Sequence, residues 1–332
     1  MIGISRCRAK YVCSLALLAI STATGNYAQA ENYPNRPIKL LVGFSPGSGN
    51  DTVGRIVGEA LTRKLGQPAV VENKTGANGS LAVQTVAKAA PDGYTLLVSN
   101  TSSITVNPFV YKSISYNPER DLEPISTILS YPLVLTVNAN AEKTKNVKTV
   151  KDLVALAKSQ KEPLTYGSAG IGNLFHIAGA WFNNEAGIKA THVPYRGGSP
   201  MLVALLSGEI DYAFNTLDIV PSVKDGKVRA LAVTERKRWR DLPDVPTMEE
   251  VGLPAIYISP WYGVFAPKGT PPDVLAKVSD VLKSLATEED LRKRLEAIGR
   301  VSIQSPEAFA KQIKEETAIN KEIIAREGIA QP

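Results

Sequence analysis

Gly43-Phe44-Ser45-Pro46-Gly47 has the G-x-S-x-G spacing of a nucleophile elbow, in which a strained strand-to-helix turn lifts a serine oxygen clear of the backbone. A second chemistry suits the same turn, because glycine-rich backbone at a helix start exposes N–H groups that hold an anion. Pro46 weighs against the nucleophile. It has no N–H, yet the oxyanion hole of an α/β-hydrolase uses the N–H of the residue after the serine. That fold also needs a late histidine, and here the chain runs from His192 to Pro332 without another. A dinucleotide site fails as well, since Gly47-Ser48-Gly49 is followed by Thr52 where G-x-G-x-x-G requires its third glycine. The loop therefore reads as an anion cradle, with a secreted serine hydrolase using Ser45 as the alternative.

Small and polar residues collect after other strand-like runs too, at Gly76–Ser80, Ser99–Ser103, Gly167–Asn173, Tyr195–Ser199 and Asn215–Asp218. Open parallel sheets bind ligands beyond the carboxyl ends of their strands. These loops offer hydroxyls, amides and bare N–H groups but few charges, a set suited to an oxyanion held by neutral donors and helix dipoles. A metal fits poorly, because there are two histidines and no carboxylates paired at ligand spacing. No cofactor is expected. His176 projects away from the apolar stripe Leu174, Ile177, Ala178, Trp181 and Phe182, on the Asn173 side. It is expected to be a solvated or capping residue, with ligand contact as the alternative, while His192 is expected to be structural.

The elements that must position these loops follow from periodicity. Short β-branched runs at 37–43, 69–73, 95–98, 133–137, 164–167, 211–214 and 229–233 alternate with helical patterns, which predicts an α/β fold with largely parallel sheets. Val53, Ile56, Val57, Ala60 and Leu61 form one stripe of a helix over 51–65, and Gly66 stops it. Further helix starts are expected at Thr149 with Asp152, at Ser199-Pro200 and at Ser305-Pro306. From Pro272 to Gly328 the chain turns helical and charged, as a tail packed on the first lobe would. A mature chain of this length exceeds what one core usually organises, so two lobes with a cleft are expected.

Met1 to Ala30 carries Arg6, Arg8 and Lys10, then the apolar Tyr11–Ile20, then Ala28-Gln-Ala30, the three parts of a secretory signal peptide cleaved after Ala30. Its apolar core is too short for a membrane anchor, which needs about 18 residues or more. Both cysteines, Cys7 and Cys13, lie in this leader, so thiol chemistry and disulfides are excluded from the exported chain. Three of the 38 basic residues would leave with the leader, lowering the formal net charge from +6 to +3. Only Glu235-Arg-Lys-Arg-Trp-Arg240 resembles a basic patch, and it reads as a solvated face; no nucleic-acid partner is expected.

Several stretches, in order, give the chain a family resemblance: Tyr33-Pro-Asn-Arg-Pro-Ile38, the loop ending in Asp51, Leu65–Asn73, Ala90-Pro-Asp-Gly-Tyr-Thr-Leu96, Tyr166–Asn173 with His176, His192–Gly198, Gly226–Val233 and Leu242–Thr247. Together they resemble the Bug-type periplasmic receptors of tripartite tricarboxylate transporters. The resemblance implies a two-lobed periplasmic binding protein of type II, a Venus flytrap with a mainly parallel, helix-flanked sheet in each lobe. Lobe 1 would comprise 31–132 and 256–332, and lobe 2 would comprise 133–255. Such a receptor closes on a small organic carboxylate, with no catalysis, and hands it as a periplasmic monomer to membrane permease subunits; a sensing module without transport is the related alternative. Carried over residue by residue, the contacts fall on Phe44, Ser48, Gly49 and Asn50 in one lobe. In the other they fall on Ser168, Ala169, Gly170, Asn173, His176 and Asn215. Relatives often have aspartate where Phe214-Asn215 stands here, which leans the ligand toward a plain dicarboxylate over an amino acid, unless Asp218 replaces that acid.

Overall fold

The computed structural model describes residues 33–112 and 114–329, so the expected signal peptide lies outside the described residues. The chain runs through β1 (Ile38–Val42), α1 (Gly49–Leu65), β2 (Ala69–Asn73), α2 (Ser80–Ala87), β3 (Thr95–Asn100), α3 (Asn107–Val110), α4 (Pro118–Asp121) and β4 (Leu122–Ser130). It continues through β5 (Val134–Asn138), α5 (Val150–Ser159), β6 (Leu164–Ser168), α6 (Leu174–Ala186), β7 (Ala190–Pro194), α7 (Gly198–Ser207), β8 (Tyr212–Asn215), α8 (Val220–Lys224) and β9 (Val228–Val233). It closes with β10 (Trp261–Pro267), α9 (Pro272–Ser284), α10 (Glu289–Glu296), β11 (Arg300–Val301) and α11 (Pro306–Arg326).

These strands form two sheets, a six-stranded one in the order β11-β4-β10-β3-β1-β2 and a five-stranded one in the order β7-β6-β8-β5-β9. Both are mixed, which corrects the expectation of mainly parallel sheets. β1 pairs parallel with β2 and β3, and β6 pairs parallel with β7 and β8. β10 runs antiparallel to β3 and β4, and β5 antiparallel to β8 and β9. The reason is topological. Strands linked by helical crossovers all end at the same edge, whereas β5 and β10 arrive from the other sheet and so begin at the edge where those strands end. That shared edge is where the polar loops gather.

α1 shows how its sequence seats a helix close to its sheet. Val53, Ile56, Val57, Ala60 and Leu61 are fully buried. A Cβ on Gly54 would come within 2.7 Å of the Val42 side chain, and one on Gly58 within 3.2 Å of the Ala69 carbonyl, so glycine is what permits the approach. Gly66 caps the helix in the left-handed conformation. The Thr149–Asp152 capping box forms in full, and Ser305 caps α11 with Pro306 inside its first turn. α7 begins before Ser199-Pro200, with Gly197 at φ 115° as its cap, because that backbone turn needs glycine and takes the start of the helix with it.

Residues 131–133 lead from β4 to β5, and 234–260 lead from β9 to β10. Thr234, 1% exposed, joins the two passages. Its N–H donates to the Leu133 carbonyl at 3.0 Å and its carbonyl accepts from Ile258 N–H at 3.2 Å. Its hydroxyl accepts from Leu133 N–H and donates to the Ile258 carbonyl. Beside it, Tyr131 N–H donates to the Pro260 carbonyl. α11 makes a third connection: Phe309 packs with Trp261 and Phe265, while Ile323 and Ile324 belong to the core beneath β5, β6 and β8. The helical tail therefore binds both sheets and not the first alone. Thr234→Val keeps the shape but leaves two buried backbone groups without their hydroxyl partner, which should cost about 2 kcal/mol or more in urea unfolding. Thr234→Ser should stay within about 1 kcal/mol of wild type; an equal loss in both variants would show that packing, not the hydroxyl, ties the passages.

Candidate ligand-binding site

After β1 the chain enters the loop 43–48 and restarts as α1. Ser48 caps the helix by accepting from Asp51 N–H. Asp51, 2% exposed, supports the loop from beneath by accepting from Gly47 N–H and Asn73 Nδ2 at 2.9 Å each and from the Arg55 guanidinium at 2.9 and 3.0 Å. Burial works against its charge, but Arg55, Gly47 N–H and Asn73 outweigh burial and hold the carboxyl below its usual range. Asn73 Nδ2 also donates to the Phe44 carbonyl at 2.9 Å. With Asp51 occupied by the loop itself, what the cradle presents is backbone and Asn50, whose buried Oδ1 has no hydrogen-bond partner. Ser45 is exposed.

The second cradle follows β6. Ser168 is completely buried and all its contacts are internal. Its hydroxyl donates to the Gly170 carbonyl at 2.9 Å and accepts from Gly170 N–H at 3.1 Å, and its oxygen lies 2.6 Å from His192 Nε2. With the serine proton on Gly170, the His192 Nε2–H donates to Ser168. His176 Nδ1 accepts from Gly172 N–H at 3.1 Å, and its ring stacks on His192 at 3.6 Å between centroids, tilted by 7°. Asn173 caps α6 by accepting from Phe175 N–H. Ser168 and His176 thus carry the loop, leaving Ala169, Gly170 and Asn173 as its partly exposed face. His176 is buried, which corrects the expectation of a solvated residue: its neutral ring finds an aromatic partner in His192 and a backbone donor in the loop.

Two lines of contact run from the first cradle to the second sheet. Phe44 packs against Gly79, whose neighbour Asn78 bonds Asn107, and Val110 of the same one-turn helix lies 2.2 Å from where a Gly172 Cβ would stand. On the other side, a Gly49 Cβ would stand 2.5 Å from Tyr262 Oη, and the Tyr262 ring lies 5.4 Å from that of Tyr131. Asn215, at the end of β8, is buried and donates to Thr136 Oγ1 at 2.7 Å, so its amide nitrogen serves the sheet. Tyr131, Tyr262 and Val110 are residues that motif reading missed. No motif or spacing in the sequence ties Tyr262 to Gly49.

Neither histidine is placed to serve Ser45 as a base, since His192 is bonded to Ser168 and His176 to Gly172. Cavities of about 500 and 770 Å³ lie along α11, away from the loops at 44–50 and 168–173. The smaller is lined by a network in which Trp261 and Gln312 donate to Glu316 and Gln304 donates to Gln312. The candidate site rests on the two loops, not on cavity size.

Burial keeps both imidazoles neutral. His176 is pushed down to about 3 by burial and then by His192, and His192 to about 4 by burial. An unfolded histidine takes up its proton near 6.5, so the unfolded chain binds more protons from there down to those values, and stability falls with pH across that window. The expected slope is at most about 1.4 kcal/mol per pH unit for each histidine, and less for the more exposed His192. Urea unfolding at pH 7.5 and pH 5 should show the loss in wild type and a smaller one in the His176→Asn, His192→Gln double variant. Identical losses would assign the acid sensitivity elsewhere.

Comparison with known proteins bears on this geometry. Residues 53–329 match the model of the family described as "Tripartite tricarboxylate transporter family receptor". The UPF0065 protein in the TAR-I ttuE-ttuC' intergenic region of Agrobacterium vitis is 34% identical over 320 residues, 95% of this chain and 91% of that one. R. palustris Rpa4515, solved with adipate, is 29% identical with a TM-score of 0.78, covering 90% of this chain and 100% of that chain. MatC (Rpa3494) from Rhodopseudomonas palustris, solved with bound malate, is 30% identical with a TM-score of 0.74, covering 88% and 100%. Sequence and fold agree over nearly all of the described residues, and the chain belongs to the tripartite tricarboxylate transporter receptor family of periplasmic solute-binding proteins.

Proposed function

We propose that this receptor captures a small organic carboxylate between the loop at 44–50 and the loop at 168–173, without catalysing a reaction, and delivers it as a monomer to the membrane permease subunits of a tripartite transporter. One observation carries the reading. Each loop opens a helix, and each is held from beneath by side chains that take up its own N–H groups, Gly47 on Asp51 in one and Gly170 and Gly172 on Ser168 and His176 in the other, which fixes the backbone at the starts of α1 and α6. Helix starts presenting unpaired N–H groups favour anions over neutral groups. Relatives solved with adipate and malate add support by chemistry of the same class. Direct contact is assigned to Phe44, Ser48, Gly49 and Asn50 and to Ala169, Gly170, Asn173 and Asn215. Ser168 and His176 are positioning residues. Lobe 1 is taken as 31–132 with 256–332, and lobe 2 as 133–255.

Thermal-shift screening of mono- and dicarboxylates against their amides and methyl esters tests this reading. A carboxylate at 100 times its Kd should add about 2.7 kcal/mol of stability, and the neutral forms should add little. Equal stabilisation by an amide would remove the anion cradle. Ser45→Ala should bind within about tenfold of wild type, roughly 1.4 kcal/mol. Gly49→Ala should lose more than that, because its methyl must displace Tyr262 Oη. Ester turnover that vanished in Ser45→Ala would restore the hydrolase.

A further inference from the structure

The cavity of about 500 Å³ along α11 draws its walls from elements that pack on both sheets: Trp181 from α6, Trp261 from β10, Tyr257 from the passage at 234–260, and Lys311, Glu315 and Glu316 from α11 itself. Trp261 Nε1 donates to Glu316 Oε2 at 2.8 Å and Gln312 Nε2 donates to Oε1 at 2.7 Å, so both carboxyl oxygens are held by neutral groups. What they lack is a counter-ion. Among the described residues no lysine, arginine or histidine forms an ion pair with Glu316; Lys311, the cation in the lining, lies 3.8 Å from Glu315 instead. Arg236 is held over the ring of Tyr257, at 4.6 Å from its centroid. An ionised Glu316 therefore leaves the lining with two carboxylates to one ammonium, a surplus of one negative charge. Burial answers that surplus with a proton, pushing the carboxyl up to about 7 against the Gln312 and Trp261 hydrogen bonds that pull it down.

We propose that this cavity is a second ligand site, separate from the cleft loops, in which Glu316 takes the charge of a small organic ammonium ion and the indoles of Trp181 and Trp261 take its alkyl groups. A metal ion fits poorly, because no third carboxylate or histidine stands with Glu315 and Glu316 among the described residues. An organic cation needs fewer oxygens, since aromatic rings attract it electrostatically and shelter its carbon atoms. Cation and proton then compete for one carboxylate. An occupant that touches Trp181 and Glu316 together also joins α6 to α11.

The test is calorimetric titration of the purified protein with choline and with 3,3-dimethylbutan-1-ol, which has the same shape without the charge. Ionic strength is held constant and the buffer contains no carboxylate, so the result is independent of the cleft. At pH 8 wild type should bind choline with a Kd of about 1 mM or below, and the neutral alcohol about tenfold more weakly or worse. Glu316→Gln keeps an acceptor for Trp261 and should bind the two probes alike. Lowering the pH from 8 to 6 protonates a carboxyl that titrates near 7, so choline binding to wild type should weaken about tenfold. Lys311, Glu315 and Tyr257 are the other titratable side chains in the lining, and a pH effect that vanishes in Glu316→Gln belongs to Glu316. Trp181→Leu should cost choline about threefold and the alcohol less. Were Glu316→Gln unfolded, the wild-type pH series and Trp181→Leu would decide. Choline bound no more tightly than the alcohol by wild type, bound undiminished by Glu316→Gln, or bound equally at pH 8 and pH 6, would overturn the site.

Discussion

Everything that faces the cleft depends on the chain passing between two sheets at one shared edge. Strands linked by helices deliver their carboxyl ends there, and the passages at 131–133 and 234–260 must leave and arrive there too. A backbone in transit belongs to neither ladder, so its polar groups need partners that no sheet supplies. Thr234 answers that need with one residue, bonding both the N–H and the carbonyl of Leu133 and of Ile258. The same requirement turns β5 and β10 against their neighbours and gives both sheets their mixed character.

The two cradles reach a similar presentation by different chemistry. In the first, a buried carboxylate organises the loop, its charge countered by the Arg55 guanidinium and its oxygens further satisfied by the neutral Asn73 amide. In the second, two neutral imidazoles and a hydroxyl do the work without any charge. Side chains that read as ligand contacts in the sequence, Ser168 and His176 above all, are spent on holding backbone in place. In the proposed site the groups left for a ligand are those that carry little sequence identity: backbone, glycines and a capping asparagine.

That division explains what was legible in the sequence. Periodicity and caps located α1, the Thr149–Asp152 box, the Ser305 cap and strands such as β1, β2, β6 and β9, because each rests on local contacts. β4, β7 and β10 escaped because proline, histidine or glycine interrupts their apolar runs, and β11 because it is two residues long, with pairing set by a distant strand. Site loops were found by composition, since glycine and small polar residues cluster wherever backbone must stay accessible. The roles within them were not. Whether His176 meets water or a second histidine depends on β7 lying beside β6 in register, with Tyr166 opposite His192. Tyr262 gains its meaning only from Gly49, far away along the chain.

α11 bears on how such a molecule can move. It is anchored near its start by Phe309 against Trp261 and Phe265, and near its end by Ile323 and Ile324 in the other core. A helix fixed at both ends behaves as a stay, not a spectator. The two bodies it spans cannot slide past one another without stripping one anchor from its core, so the low-energy motion left to them is a swing about an axis close to the helix, with little change in length along it. In the proposed receptor the cleft would close as jaws with a fixed gauge, set by the stay and the Thr234 knot.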